Sequence, residues 1–408
     1  MNILHTADWH LGQRFLFNDR EEEHQLALDW LLQTILDRQI EVLIVAGDIF
    51  DISNPPNYAR TQYYGFLTQL LTTACRHIVI IGGNHDSPSM LHAPKALLRA
   101  LNIYVVGAKA EHLEDDLLLL KDEKGDLELL IAAVPFLRYR DLEVSIAGEG
   151  GLERIARIQT GLVRHYQAMA ELAKPYEASN VPIIATGHLY ATGAKAADKQ
   201  DNIYIGNIEN INADDFPALF DYIALGHIHR AQIVGAHPHI RYAGSLIPLS
   251  FSETQDTKSV YLLQTEKKTI KTIEQLEVPV FRRLKTIAGP LSKVKEDLRR
   301  FAEKEREGLT PWVEVIVETD QVIPQLDQEL KAFTAEMDLE VLKIKLNRTY
   351  QPIDRQYEDT PDLSELDALD VFKKKCESFG SPPEDMEELI RTFLELQDWM
   401  KEKEEDRR

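Results

Sequence analysis

Seven residues in five short clusters carry side chains that bind divalent cations. They are Asp8 and His10 in Asp8-Trp9-His10, Asp48 in Gly47-Asp48, Asn84 in Gly82-Gly83-Asn84-His85-Asp86, His188 in Gly187-His188, and His227 and His229 in Gly226-His227-Ile228-His229. Imidazole mixed with carboxylate and amide oxygens suits manganese, iron or zinc, whereas a calcium site is built almost wholly from oxygen. Seven donors exceed the needs of one ion and match two ions that share Asp48. Two such ions ~3.5–4 Å apart can clamp a phosphate, generate hydroxide at neutral pH and stabilise a leaving oxygen. No serine or cysteine nucleophile is then required. Each cluster alone says little, since Asp-x-His or Gly-Asp is most often a surface turn and Gly-Asn-His-Asp can simply end a strand. All five, in order, point to phosphoester chemistry.

The clusters share a context. Each follows directly on an apolar, β-branched run: Asn2–Thr6, Val42–Ala46, Ile78–Ile81, Ile183–Thr186 and Tyr222–Leu225, with a further run at Leu129–Val134. Runs this short and this continuously apolar predict strands buried on both faces. Strand alternation places residues i and i+2 on one side, so Asp8 with His10, and His227 with His229, are expected to face one site. Helical stretches at about Arg20–Arg38, Tyr58–Thr73 and Pro88–Ala100 separate the early runs, which gives an α/β fold. Its ligands are expected in the crevice beyond the carboxyl ends of the strands. Short β segments at Arg241–Ala243 and Ser259–Leu263 complete a first domain, 1–275.

A second unit, 276–350, reads as a small α/β cap in the order β-α-β-α-β. Strands are expected at Val280–Ile287, Trp312–Glu318 and Glu340–Leu346, and helices at Leu291–Glu305 and Ile323–Ala335. It contains no histidine and is a poor place for metal chemistry. A polar, proline-bearing linker, 351–363, leads to a helical tail, 364–408, broken at Gly380-Ser381-Pro382-Pro383. Met386, Leu389, Ile390, Phe393, Leu394 and Met400 form a stripe on the second tail helix. It either packs on its own domain or docks a coiled coil, and the polar linker favours docking. Lys373-Lys374-Lys375 reads as a solvated helix face.

The formal net charge of −21 opposes nucleic-acid binding by bulk attraction alone. Asp354–Arg408 carries 18 acidic and 9 basic residues, so the acidity is not confined to the tail. Metal ions or a partner must supply positive field if the substrate is DNA. Arg230, beside His229, and Arg138 and Arg140 are candidate phosphate contacts. Trp9 is expected to pack beneath the site. The two cysteines, far apart at 75 and 376, argue against a disulfide framework, and no stretch has the character of a secretory signal or a membrane span. A reducing cytoplasm is the expected setting.

The ordered set resembles the calcineurin-like metallophosphoesterase superfamily. Longer stretches narrow the resemblance to the SbcD family of nuclease subunits: HTADWHLGQ from His5, VAGDIFDISNPPNYAR from Val45, IGGNHDSP from Ile81, Asn202-Ile203-Tyr204-Ile205-Gly206, DYIALGHIHRAQ from Asp221 and YAGSLIPLSF from Tyr242. The resemblance covers nearly the whole chain. It implies a layered fold with two central mixed sheets flanked by helices, a small α/β cap and a C-terminal helical tail. It implies one metal at Asp8, His10, Asp48 and His229 and another at Asp48, Asn84, His188 and His227, manganese being expected. His85 corresponds to a catalytic histidine that binds no metal and serves the leaving oxygen. At Asp51 relatives divide between a histidine and an aspartate that orients the catalytic histidine, so Asp51 is either such an orienting group or a turn residue. The resemblance also implies exonuclease action on duplex ends and endonuclease action on single strands and hairpins. Its partners would be DNA, a second copy paired through the helices around Tyr58–Thr73 and Ser89–Leu101, and an SbcC-type coiled-coil ATPase in a heterotetramer, with no membrane association. A phosphatase or cyclic-nucleotide phosphodiesterase using the same site is the alternative, and a non-catalytic scaffold is a third reading that the presence of His85 disfavours.

Overall fold

The computed structural model describes residues 1–142, 151–192, 194, 210–303, 308–319, 323–348, 372 and 389–393. Met1–Arg348 forms one compact unit and Thr349–Arg408 a second. The continuously apolar runs become strands with both faces covered, in two six-stranded mixed sheets. The first runs Thr269–Glu277, Ser259–Glu266, Asn2–Thr6, Val42–Ala46, His77–Ile81, Ile103–Val106 from edge to edge, its last four strands parallel. Ser259–Glu266 closes antiparallel on Asn2–Thr6, with Ile3 opposite Leu263. The second runs Gln232–Val234, His237–Tyr242, Tyr222–Gly226, Ile183–His188, Leu127–Ala132, Leu117–Lys121, its middle four parallel.

The sheets stack face to face over a buried layer that includes Ile44, Val79, Ile131, Ile184 and Ala224. Helices Glu21–Asp37 and Asn57–Leu70 cover the outer face of the first sheet, and Gly151–Ala173 covers that of the second. Every strand that ends at a motif is therefore apolar on both sides, as its sequence requires. Within the layer His5, fully buried, shares a hydrogen bond of 3.0 Å with the Tyr222 hydroxyl across the two sheets.

The stretch expected as one helix, Pro88–Ala100, is two: Pro88–His92 and Lys95–Ala100. Pro94 lies at the break, where it has no N–H to continue the first helix and restricts the residue before it.

A third sheet, all parallel, joins Arg282–Gly289, Leu309–Thr319 and Glu340–Arg348 through helices Leu291–Ala302 and Leu326–Thr334. It meets the rest of the first unit through Phe15, Phe251, Leu284 and Trp312, and through a buried charge cluster. Glu23 accepts from Arg20 Nη2 at 2.7 Å and from Arg282 Nε at 3.2 Å. Arg20 also donates to the Pro248 carbonyl, and Arg282 stacks 4.0 Å above the Trp312 ring. In the second unit, the rings of Phe372 and Phe393 stack at 4.3 Å and 389–393 is helical. The expected linker 351–363, the rest of the tail, Lys373-Lys374-Lys375 and Asn202–Gly206 lie outside the described residues.

Removing Glu23 strands two buried guanidinium groups. Glu23→Ala is expected to cost ~3–5 kcal/mol in denaturant unfolding. Arg300→Ala, which breaks solvent-facing pairs with Glu296 and Asp297, should stay within about 0.5 kcal/mol.

Candidate metal centre

Four of the five strands feeding the clusters stop short of the donors, and Ile183–His188 ends on one. Strand Asn2–Thr6 ends two residues before Asp8. Asp8 (φ 51°), His10 (φ 46°), Asp48 (φ 48°) and His227 (φ 100°) all lie in the left-handed region, which non-glycine residues enter at a cost of ~1–3 kcal/mol each. Asp8 and His10 thus reach one site, but by a twisted loop and not by strand alternation. Backbone ties hold the loop: Asp8 N donates to Gly47 O and His10 N to Asp48 O, both at 3.0 Å.

Side chains complete the frame. The Asp86 carboxylate accepts from the N–H groups of Gly83 (2.9 Å), Phe50 (3.0 Å) and Ile49 (3.1 Å), clasping the second and third motif loops together. The Asp8 carboxylate accepts from His227 N at 2.9 and 3.1 Å, tying the first loop to the last. His85 N donates to Asp48 Oδ1 at 3.0 Å. The packing is tight enough to demand glycine: a Cβ on Gly83 would lie 2.1 Å from Asp48 Oδ1, and one on Gly226 would lie 1.9 Å from the Ala46 carbonyl.

Within this frame the donors converge. Three groups have ligand atoms mutually within 4.8 Å: Asp8, His10 and His229; Asp8, Asp48 and His188; and His10, Asp51 and His85. Asp48 Oδ2 sits 3.4 Å from His10 Nε2 and 3.2 Å from His188 Nε2, between two imidazoles. Asn84 Oδ1 lies 3.0 Å from both His188 Nε2 and His227 Nδ1. Three of the expected ligand rings turn Nδ1 to an acceptor outside the seven donors: His188 to Ala46 O at 2.9 Å, His10 to Asp51 Oδ1 at 3.0 Å and His229 to Glu253 Oε1 at 3.3 Å. Such partners fix the tautomer that leaves Nε2 as a metal donor. His10 Nε2 is buried and has no hydrogen-bond partner, the condition of a nitrogen that waits for a cation. The arrangement fits two divalent ions of borderline hardness.

His85 is exposed at the rim, its ring 4.9 Å from that of His10. Its Nδ1–H donates to the Asp51 carbonyl at 2.7 Å, which leaves Nε2 to exchange a proton. Asp51 touches both histidines. Its carboxylate orients His10, and its backbone oxygen orients His85.

The basic candidates separate. Arg138 donates to the Asp86 carbonyl at 3.3 Å, lies against the Phe136 ring and keeps a buried Nη1 without a hydrogen-bond partner. Arg140 projects into solvent. Arg230, half-exposed, is paired through Nε with Asp256 at 2.8 Å. Trp9 is fully buried against Phe66, with its indole N–H on Thr6. Glu253, a buried carboxylate with no motif around it, went unnoticed in the sequence, as did the clasp made by Asp86.

Burial opposes protonation of His10, but the hydrogen bond to Asp51 and the charge of Asp48 prevail and raise it to about 9. Burial likewise opposes protonation of His188, and Asp48 and Asp8 raise it to about 9. A protonated imidazole cannot ligate, and both values lie above the ordinary one. Protons therefore compete with metal below about pH 9. Metal affinity is expected to climb with pH up to that point, by roughly tenfold per unit for each ion, with about one proton released per ion. Calorimetry in buffers of differing ionisation enthalpy reads this release, and an affinity flat between pH 6 and 8 contradicts it.

Residues 1–231 match the family model described as calcineurin-like phosphoesterase, and residues 280–378 match that described as type 5 capsule protein repressor C-terminal domain. The SbcD subunit of nuclease SbcCD from Escherichia coli K12 is 38% identical over 376 residues, covering 92% of each chain. That of Rhodobacter capsulatus is 32% identical over 361 residues, covering 85% of this chain and 88% of the relative. That of Bacillus subtilis is 28% identical over 407 residues, covering 97% of each. The chain belongs to the calcineurin-like phosphoesterases and, within them, to the SbcD family of nuclease subunits.

Proposed function

We propose that the chain is a metal-dependent DNA nuclease, the phosphodiesterase subunit of an ATP-regulated complex, cleaving duplex ends and single strands or hairpins. The observation that carries the reading is Asp48 Oδ2 seated between two buried imidazoles, with further donors gathered on either side. One cation is assigned to Asp8, His10, Asp48 and His229, the other to Asp48, Asn84, His188 and His227, with manganese the ion of choice for this mixture of nitrogen and oxygen. When bound, such a pair supplies Lewis acidity across the phosphate and a nucleophilic water at neutral pH. The chain's own residues do the rest. The left-handed loops hold the donors in place, and Asp51 fixes His10 by its carboxylate. Through its carbonyl Asp51 also keeps His85 with Nδ1–H engaged, so that Nε2 can deliver a proton to the departing sugar oxygen. Arg138, bonded to the residue after His85, is a phosphate contact with one donor to spare.

Grip on DNA must come from elsewhere, because the chain is strongly acidic. We assign 1–275 to the nuclease domain, 276–350 to a cap, 351–363 to a linker and 364–408 to a tail that docks a coiled-coil ATPase. Ile52, Leu71, Leu97 and Leu101 are exposed on or beside the helices expected to pair two copies, which supports a homodimer within a larger heterotetramer. Among the described residues no helix is long and apolar enough to cross a membrane. A cytoplasmic setting, on the nucleoid, is the one proposed.

Digestion of an end-labelled hairpin with manganese and the partner ATPase tests the reading. Wild type should cut, and His85→Gln should lower kcat by roughly 10²–10⁴-fold while retaining its metal content. Fast turnover of a phosphomonoester with intact DNA would instead favour the phosphatase alternative. Deleting 364–408 should abolish co-purification with the ATPase and leave metal binding unchanged. Retained co-purification would remove the tail from the partner interface.

A further inference from the structure

Glu253 is a carboxylate that the proposed chemistry does not use. It is 2% exposed and lies in a short 3₁₀ turn, Phe251–Glu253, outside all five motif clusters. An ionised carboxylate there is costly unless it is neutralised and fully bonded. Both conditions hold. Lys258 Nζ, itself 5% exposed, donates to Glu253 Oε2 at 2.6 Å. Leu249 N donates to the same oxygen at 3.1 Å, and the Ser250 hydroxyl donates to Oε1 at 3.3 Å. The remaining capacity of Oε1 is turned to His229 Nδ1 at 3.3 Å.

Lys258 does a second thing. Its Nζ donates to the His229 carbonyl at 2.9 Å, and Ser245 N donates to that same carbonyl at 3.2 Å. One buried ion pair therefore grips the ring of His229 through the glutamate and the backbone of His229 through the lysine. The two charges cancel, so the pair adds no net charge to the centre. What it adds is direction.

We propose that Glu253, held by Lys258, is a positioning residue for His229. It locks the imidazole with Nδ1–H engaged and Nε2 as donor, and so sets the affinity of the site built from Asp8, His10 and His229 without setting that of the other. This rests on the assignment of His229 as a ligand. The selectivity follows from the geometry: the histidines of the other site, His188 and His227, turn Nδ1 to Ala46 O and Asn84 Oδ1, so Glu253 holds neither of them by that nitrogen.

Manganese titration of the full-length, metal-free chain reads the two sites as two steps. Glu253→Gln, nearly isosteric, should weaken one step by roughly 10–100-fold, the usual effect of losing a partner behind a metal-binding histidine. The other step should stay within about twofold. Lys258→Gln, which leaves the glutamate but frees it, should weaken the same step, and it serves if Glu253→Gln does not fold by circular dichroism. His229→Ala is the reference and should abolish that step. If His229→Ala loses one step while both other variants keep two normal steps, Glu253 has no positioning role. If both steps fall together in a folded variant, the pair is merely structural and the proposal is equally overturned. If His229→Ala itself binds two ions normally, the ligand assignment fails instead.

Discussion

At the Ala46 carbonyl the two sheets approach each other closely. That carbonyl accepts from His188 Nδ1, on a strand of the opposite sheet, and it faces Gly226 so closely that no side chain fits there. Two sheets that meet this tightly at their carboxyl ends bring all seven donors into one crevice. Everything else serves that meeting. The apolar layer behind it sets the spacing of the sheets, and the helices outside them seal the strands against water. The left-handed residues turn the chain back before the loops can diverge.

The carboxylates of the region divide the labour by what their oxygens face. Asp86 spends its oxygens on three backbone N–H groups, and burial, then the charge of Asp48, pushes it up to about 6. Asp8 gives part of its capacity to His227 N. Asp48 uses Oδ1 for His85 N and keeps Oδ2 among the imidazoles; burial opposes its ionisation, yet His188 and His10 hold it well below the usual carboxylate range. An acidic protein thus concentrates negative charge where cations bind and offers DNA little outside the centre.

The parts legible in the sequence were those with a strong local cause. A strand buried on both faces must be apolar throughout, so Asn2–Thr6 and Val42–Ala46 announced themselves to the residue. Strands with a weaker pattern did not: Ile103–Val106 is only four residues long, and Leu117–Lys121 is an edge strand with exposed positions. The long helix Gly151–Ala173 also escaped, since Gly151 and Gly161 lower its apparent propensity and no chemistry marks it. Tertiary roles left the least trace. Nothing local distinguishes Glu253 from a surface glutamate, and Asp51 gives its carboxylate to one histidine and its carbonyl to another. Backbone conformation was equally hidden, because Asp and His carry no signature of a left-handed φ.

The pairing of Asn2–Thr6 with Ser259–Glu266 has a consequence for how the protein is made. Asn2–Thr6 is finished on one side by Val42–Ala46 but must wait more than two hundred residues for its other neighbour. His229 likewise follows Asp8 and His10 by that distance. Contacts this distant in sequence form slowly, and the unpaired edge of an early strand is a place where chains stick to each other. A nascent chain therefore carries half a metal centre and an open sheet edge until those later residues are made. Both close only when the segment after the last histidine has emerged.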